Sequence, residues 1–148
     1  MTLIIADDSV DFRERIRNMA LKHENLQIAG ESANGAEALQ LINQTDPDMI
    51  ILDIRMPVMN GIQLMKKLKE QGNKAIVCIL TSYDYPQYKR KCMELGARYF
   101  FNKWDDFKKI DSAIESVKKK VEGRRETCEI LSERADKTAA YLETEQTP

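Results

Sequence analysis

The sequence predicts an α/β domain built on a doubly wound, five-stranded parallel sheet. Two features of the chain point there. Short apolar runs alternate with amphipathic stretches of helical period from residue 3 to about residue 121, the pattern of repeated βα units. The apolar runs are also continuous rather than alternating, as Met49-Ile50-Ile51-Leu52 illustrates, which suits strands buried on both faces.

Residues 3–6, Leu-Ile-Ile-Ala, form the first strand and meet Asp7-Asp8 at once. Ser9 is placed to cap a helix whose Phe12, Ile16, Met19 and Ala20 recur at helical spacing. A weaker strand follows over residues 26–30, then a helix from about Gly35 to Gln44 with Ala38, Leu39 and Ile42 inward and Asp46-Pro47 as its stop. The third strand ends at Asp53. After Pro57 and Gly61 a third helix turns Ile62, Met65 and Leu68 to one face and stops at Gly72. Residues 75–80 are the fourth strand, and Asp84 with Pro86 opens a fourth helix that ends at Gly96. The fifth strand covers residues 99–101, and a fifth helix begins near Asp105 or Asp106.

A chain of 148 residues holds one domain with a full core and is short for two. Its 23 basic and 24 acidic residues leave a net charge of -1, so no overall field draws it to nucleic acid or to an anionic membrane. The longest apolar runs fall far short of a membrane span, and no signal peptide precedes Asp7 and Asp8, which points to the cytoplasm. Cys78, Cys92 and Cys128 are odd in number and far apart, as suits reduced thiols.

The chemistry is expected at the strand ends. Asp53 after strand three, Asp7 and Asp8 after strand one, Thr81 after strand four and Lys103 after strand five converge on one rim if the strands are parallel. Carboxylates crowded there repel by about 1 to 4 kcal/mol per pair at 4 Å, depending on the effective dielectric. A hard cation such as Mg²⁺ or Mn²⁺ relieves that repulsion and accepts oxygen ligands. Taken singly, Asp7-Asp8 could lead into a helix cap, and Thr81-Ser82 could be a plain capping loop.

In the order DDS, DIRMP followed by NG, LTS and FNK, the chain closely resembles the receiver domain of two-component response regulators over roughly residues 2 to 121. The resemblance implies a flavodoxin-like (βα)5 fold and a phospho-accepting, non-enzymatic switch. It implies that Asp53 is the phosphoacceptor, that Asp7, Asp8, Asp53 and the backbone carbonyl of Arg55 hold the metal, and that Thr81 and Lys103 contact the phosphoryl group. Phe100 matches the family's switch aromatic; Tyr99, Phe100 and Phe101 are adjacent, and alternation along the strand decides which face each ring takes. Arg55 and Tyr83 occupy positions that border the path of attacking water, where their bulk would shield the phosphoryl group. The phosphodonor would be a sensor histidine kinase or a histidine phosphotransfer protein; His23, the one histidine, reads as a surface residue. The chain departs from the family where proline usually follows the lysine: here Trp104 does.

The receiver is expected to occupy residues 1–122 and a helical extension residues 123–148, with no separate output domain. Phe107, Ile110, Ile114, Val117, Val121, Cys128, Leu131, Ala135 and Leu142 keep steps of three and four, with Arg124 and Thr138 at the gaps. That heptad register suggests a fifth helix running past the core, as a two-stranded coiled coil that makes a homodimer or as a solvated tail. The output partner is not specified, and residues 123–148 are too few for a DNA-binding unit. A second reading makes the chain the receiver portion of a longer DNA-binding transcriptional regulator, cut in its linker.

Overall fold

The computed structural model describes residues 1–145, with side chains for residues 1–137. Ten elements alternate: β1 (Thr2–Ala6), α1 (Val10–Ala20), β2 (Gln27–Ser32), α2 (Gly35–Thr45), β3 (Met49–Leu52), α3 (Gly61–Glu70), β4 (Ile76–Thr81), α4 (Pro86–Glu94), β5 (Tyr99–Asn102) and α5 (Lys109–Glu145). The strands form one sheet in the order β2-β1-β3-β4-β5, and every pairing is parallel. The doubly wound five-stranded fold expected from the sequence is present, with a long last helix.

Each sheet face carries its own core. Ile4, Ala6, Ile50, Leu52, Val77 and Ile79 pack against α2, α3 and α4 on one side. Leu3, Ile5, Met49, Ile51, Cys78 and Leu80 pack against α1 and α5 on the other. Successive residues of β1, β3 and β4 thus face opposite layers, and both layers are apolar, which is why these strands read as unbroken hydrophobic runs. The chain leaves β1 toward β2 on one side and returns through β3 on the other. The crevice at this switch opens at the C-terminal strand ends, above Ala6 and Leu52.

Several local expectations need adjusting. Helix α3 turns Leu64 inward with Met65 and Leu68, while Ile62 is only half-buried. Asp84 does not cap α4; Tyr85 occupies that position without a side-chain cap bond, and Pro86 starts the helix by its preset φ. Helix α5 begins at Lys109 rather than near Asp105, because Asn102 and Asp106 close a turn first. Asn102 Oδ1 accepts from the Trp104 and Asp105 N–H groups at 2.8 and 3.2 Å, and Asp106 Oδ2 accepts from the Asn102 N–H at 2.9 Å. This clasp shapes the loop in which Trp104 stands in place of proline. His23 is not a free surface residue: its ring nitrogens lie 2.6 Å from Asp111 Oδ1 and 3.2 Å from Glu115 Oε2, tying the end of α1 to α5.

Ile110, Ala113, Ile114, Val117 and Val121 bury one face of α5, after which residues 122–137 are exposed. The helix passes through Gly123 without a break. Of the heptad positions, Thr138 and Leu142 lie outside the described side chains. Among the described residues, no helix is long and apolar enough to cross a membrane.

Candidate functional site

The residues expected at the strand ends come together on one rim. Asp7 follows β1, Asp53 follows β3, Thr81 closes β4 and Lys103 follows β5 directly. Asp7, Asp53, Thr81 and Lys103 are all buried, an unusual concentration of polar groups, while Asp8 is exposed at the lip.

Backbone bonds across neighbouring strand ends hold these side chains in place. The Asp7 N–H donates to Ser32 O at 3.0 Å, the Asp53 N–H to Ala6 O at 2.9 Å, and the Lys103 N–H to Thr81 O at 2.9 Å. These bonds extend the sheet ladders one residue past the strands. Gly61, at the start of α3, presses on the backbone of Asp53 itself. A Cβ there would lie 2.2 Å from Asp53 O and 2.9 Å from Ile54 Cα, so only glycine fits. Its N–H donates to Ile54 O at 2.7 Å, and an Asn60–Gln63 capping box fixes the helix end above it.

Lys103 Nζ lies 2.7 Å from Asp7 Oδ2 and 2.8 Å from Asp53 Oδ2, joining the two buried carboxylates. Burial works against the lysine's charge, yet the hydrogen bonds to Asp53 and Asp7 outweigh it and hold its pKa above the ordinary value. Burial dominates at Asp7 and raises its carboxyl above the usual range, against the Lys103 bond and a Ser9 N–H bond at 2.8 Å. Two carboxylates therefore share one cation. With Asp8 they form a cluster in which each residue offers an oxygen within 4.8 Å of the others. Three acids facing one ammonium leave excess negative charge, and an all-oxygen donor set suits a hard divalent cation.

Thr81 is fully buried, and its Oγ1 accepts the Tyr83 N–H at 3.1 Å. Arg55 is exposed, and its guanidinium carbon stacks 3.8 Å from the Tyr83 ring centroid. A hydrogen bond to Tyr88 is the first cause holding the Arg55 pKa above its ordinary value. Arg55, Tyr83 and Tyr88 thus link the loop after Asp53 to α4. Phe100 is half-buried and packs on the core layer that includes α4. Tyr99 and Phe101 face α5, their ring centroids 5.7 Å apart, so alternation along β5 separates Phe100 from its neighbours.

Two neighbours escaped the sequence reading. Arg13 donates to the carbonyl of Asp7 at 2.6 Å and fixes the acidic loop. Its place four residues after the Ser9 cap, on the same helix face, is the signal that could have exposed it. Phe12, expected only as core, puts its ring 4.4 Å from Lys103 Nζ.

The response regulator receiver domain model matches residues 3–115. The chain belongs to the response regulator receiver domain family. The transcriptional regulatory protein YhcZ of Bacillus subtilis (strain 168) is 34% identical over 100 residues, covering 68% of this chain and 47% of the relative. A protein-glutamate methylesterase/protein-glutamine glutaminase of Treponema denticola is 33% identical over 147 residues, covering 95% of this chain and 40% of the relative. This receiver chain therefore spans less than half the length of either relative. A chain in the CheX-CheY-BeF3-Mg²⁺ complex of Borrelia burgdorferi superposes with a TM-score of 0.73 at 28% identity, covering 79% of this chain and 88% of that one.

Proposed function

We propose that this receiver is a phosphoacceptor switch, in which Asp53 takes a phosphoryl group from a histidine kinase or histidine phosphotransfer protein. The observation that carries the reading is the shared lysine: Lys103 spans Asp7 and Asp53 at 2.7 and 2.8 Å inside a buried acidic crevice. An Asp53 carboxylate oxygen attacks the phosphorus of the donor. The new O–P bond forms as the bond from phosphorus to the donor's imidazole nitrogen breaks, and the imidazole leaves with that electron pair. Lys103 is placed to pair with the developing charge on the phosphoryl oxygens, and the Thr81 hydroxyl to bond one of them. Asp7, Asp8, Asp53 and the Arg55 carbonyl would hold Mg²⁺ or Mn²⁺, which supplies further charge neutralisation at the phosphoryl group. The chain carries the group and does not turn over a substrate of its own.

Arg55 stacked on Tyr83 narrows the approach beside Thr81, so the pair shields the phosphoryl group from attacking water. Thr81 turning from the Tyr83 N–H toward that group would open room for Phe100 in the α4 layer and change the face made by α4, β5 and α5. Taking such a switch from mostly off to mostly on needs about 5.5 kcal/mol of differential stabilisation, so a partner shares in it. Residues 1–122 would form the receiver, and residues 123–148 would carry output by homodimerisation or by an output partner.

The test is intact mass after incubation with Mg²⁺ and acetyl phosphate, wild type beside Asp53→Ala. One added phosphoryl group is expected on the wild type alone. Equal labelling of both proteins, or of neither, overturns the proposal. The second reading, a receiver cut from a longer DNA-binding regulator, is favoured by the coverage of YhcZ, of which the chain spans 47%. Light scattering with and without a phosphoryl mimic separates homodimerisation from output through a partner. A dimer formed on activation supports a switched coiled coil, and an invariant monomer favours the partner-binding reading.

A further inference from the structure

We infer that Phe12 is a positioning residue for Lys103, its ring acting as the neutral wall that keeps the ammonium in place when its carboxylate partners are engaged elsewhere. This rests on the reading of Asp53 as phosphoacceptor. Lys103 and Phe12 are 4% and 8% exposed, so water does not compete for the contact. The ammonium lies 4.4 Å from the ring centroid, within the range in which the negative face of an aromatic ring attracts a cation. An ammonium has three N–H donors. Two meet Asp7 and Asp53, and the ring is the remaining side of the cage.

Both carboxylates have other work. Asp53 Oδ2, which now accepts from Lys103, belongs to the group that receives the phosphoryl, and Asp7 Oδ2 belongs to the acidic cluster suited to a cation. Each engagement removes a partner from the lysine. The ring competes for neither the phosphoryl group nor the cation, because it offers no lone pair and carries no charge. A purely aliphatic side chain of similar volume would fill the space but leave the ammonium without attraction on that side.

The ring is itself held. Trp104 meets it edge-on with centroids 5.3 Å apart, and the Arg15 guanidinium carbon lies 5.1 Å from its centroid. Trp104 follows Lys103 directly, so the turn that orders the lysine also seats the indole on the ring.

The test replaces Phe12 with mono-, di- and trifluorophenylalanine, which keep its shape while draining the negative face, and adds Phe12→Leu. In metal-free protein, the Lys103 ε-methylene protons should resonate upfield through the ring current, and Phe12→Leu should return them to the ordinary position. The rate of Asp53 labelling by acetyl phosphate should fall stepwise with each fluorine, to roughly tenfold below wild type, at unchanged melting temperature. A flat rate across the fluorine series, with the wild type still labelled, overturns the inference and leaves the phosphoacceptor reading intact. Unshifted ε-methylene protons in the wild type overturn it as well. Absence of labelling on wild-type Asp53 removes the phosphoacceptor reading, and the inference falls with it.

Discussion

Gly61→Ala is expected to disable Asp53, the proposed phosphoacceptor, without touching any charged group. In a helix, alanine for glycine normally stabilises by about 0.5–1 kcal/mol, so propensity alone predicts a gain. The contacts predict the opposite. The new Cβ would sit 2.2 Å from Asp53 O and 3.0 Å from Asp53 C, both backbone atoms anchored by the ladder from Asp53 N to Ala6 O. Carbon contacts are comfortable near 3.5 Å, so the acceptor strand end and α3 must part by roughly 1 Å. Overpacking of that kind costs about 1–3 kcal/mol, and weakening the buried bond from Gly61 N to Ile54 O adds about 1 kcal/mol. The net loss is about 1–3 kcal/mol, or roughly 2–4 °C of melting temperature per kcal/mol. A 1 Å displacement of a reacting group can cost about a hundredfold in rate. Thermal melts and time-resolved mass labelling with acetyl phosphate, run well below the melting point, measure the two effects. A variant that melts at or above wild type and labels at the wild-type rate would refute the claim that α3 seats the acceptor.

Lys103→Met leaves Asp7 and Asp53 buried without their cation, so urea denaturation at neutral pH should show a loss of about 3–5 kcal/mol. Asp7 gives a pH dependence of definite sign. Its folded pKa lies above 3.8, so the folded protein retains a proton that the unfolded chain releases. Stability from this group is therefore greatest below the unfolded value and declines as pH rises through the folded one. Urea melts from acid to neutral pH should show the stability difference between Asp7→Asn and wild type moving in the variant's favour. Val58, β-branched and 83% exposed, sits at φ +68 between Pro57 O and the Met59 N–H, a strained γ-turn. Val58→Gly should raise stability by about 1 kcal/mol in calorimetry, because nothing packs on the side chain and the backbone strain is relieved. His23→Ala should speed amide exchange in the first turns of α5, where Asp111 and Glu115 lose their link to α1.

The sheet was legible because its strands are buried on both faces. Met49-Ile50-Ile51-Leu52 has no polar interruption, and β3 spans those four residues. The site residues were legible for a related reason: a polar group directly after such a run must lie at the strand end. Partners reached through space were less visible. His23 is 88 residues from Asp111 in the chain and meets it only because α1 and α5 pack on the same sheet face. Phe12 has the spacing of any core residue, and only the fold puts its ring against a lysine 91 positions later. The start of α5 depended on a local contest between the Asn102–Asp106 turn and an earlier helix cap, which helical periodicity does not register.

The extension of α5 has a lopsided surface that bears on how it can signal. Glu122, Glu126, Glu129, Glu133 and Asp136 recur at helical spacing along one side. The heptad positions on the other side are Arg124, Cys128, Leu131 and Ala135, so up to residue 137 the seam holds one large apolar side chain. Burying a leucine contributes about 1.5–3 kcal/mol, while association costs about 4–15 kcal/mol in lost freedom. In a parallel pair Arg124 would face its own copy, and Lys120 would approach Arg125 of the second chain, adding like-charge repulsion. The described part of the extension therefore falls short of holding two copies together. A dimer through it needs a second surface, and the α4–β5–α5 face at the other end of the same helix is the one that Phe100 borders. In the proposed dimer, a seam too weak to act alone would make assembly conditional on the state of that face, which is the behaviour a switch requires.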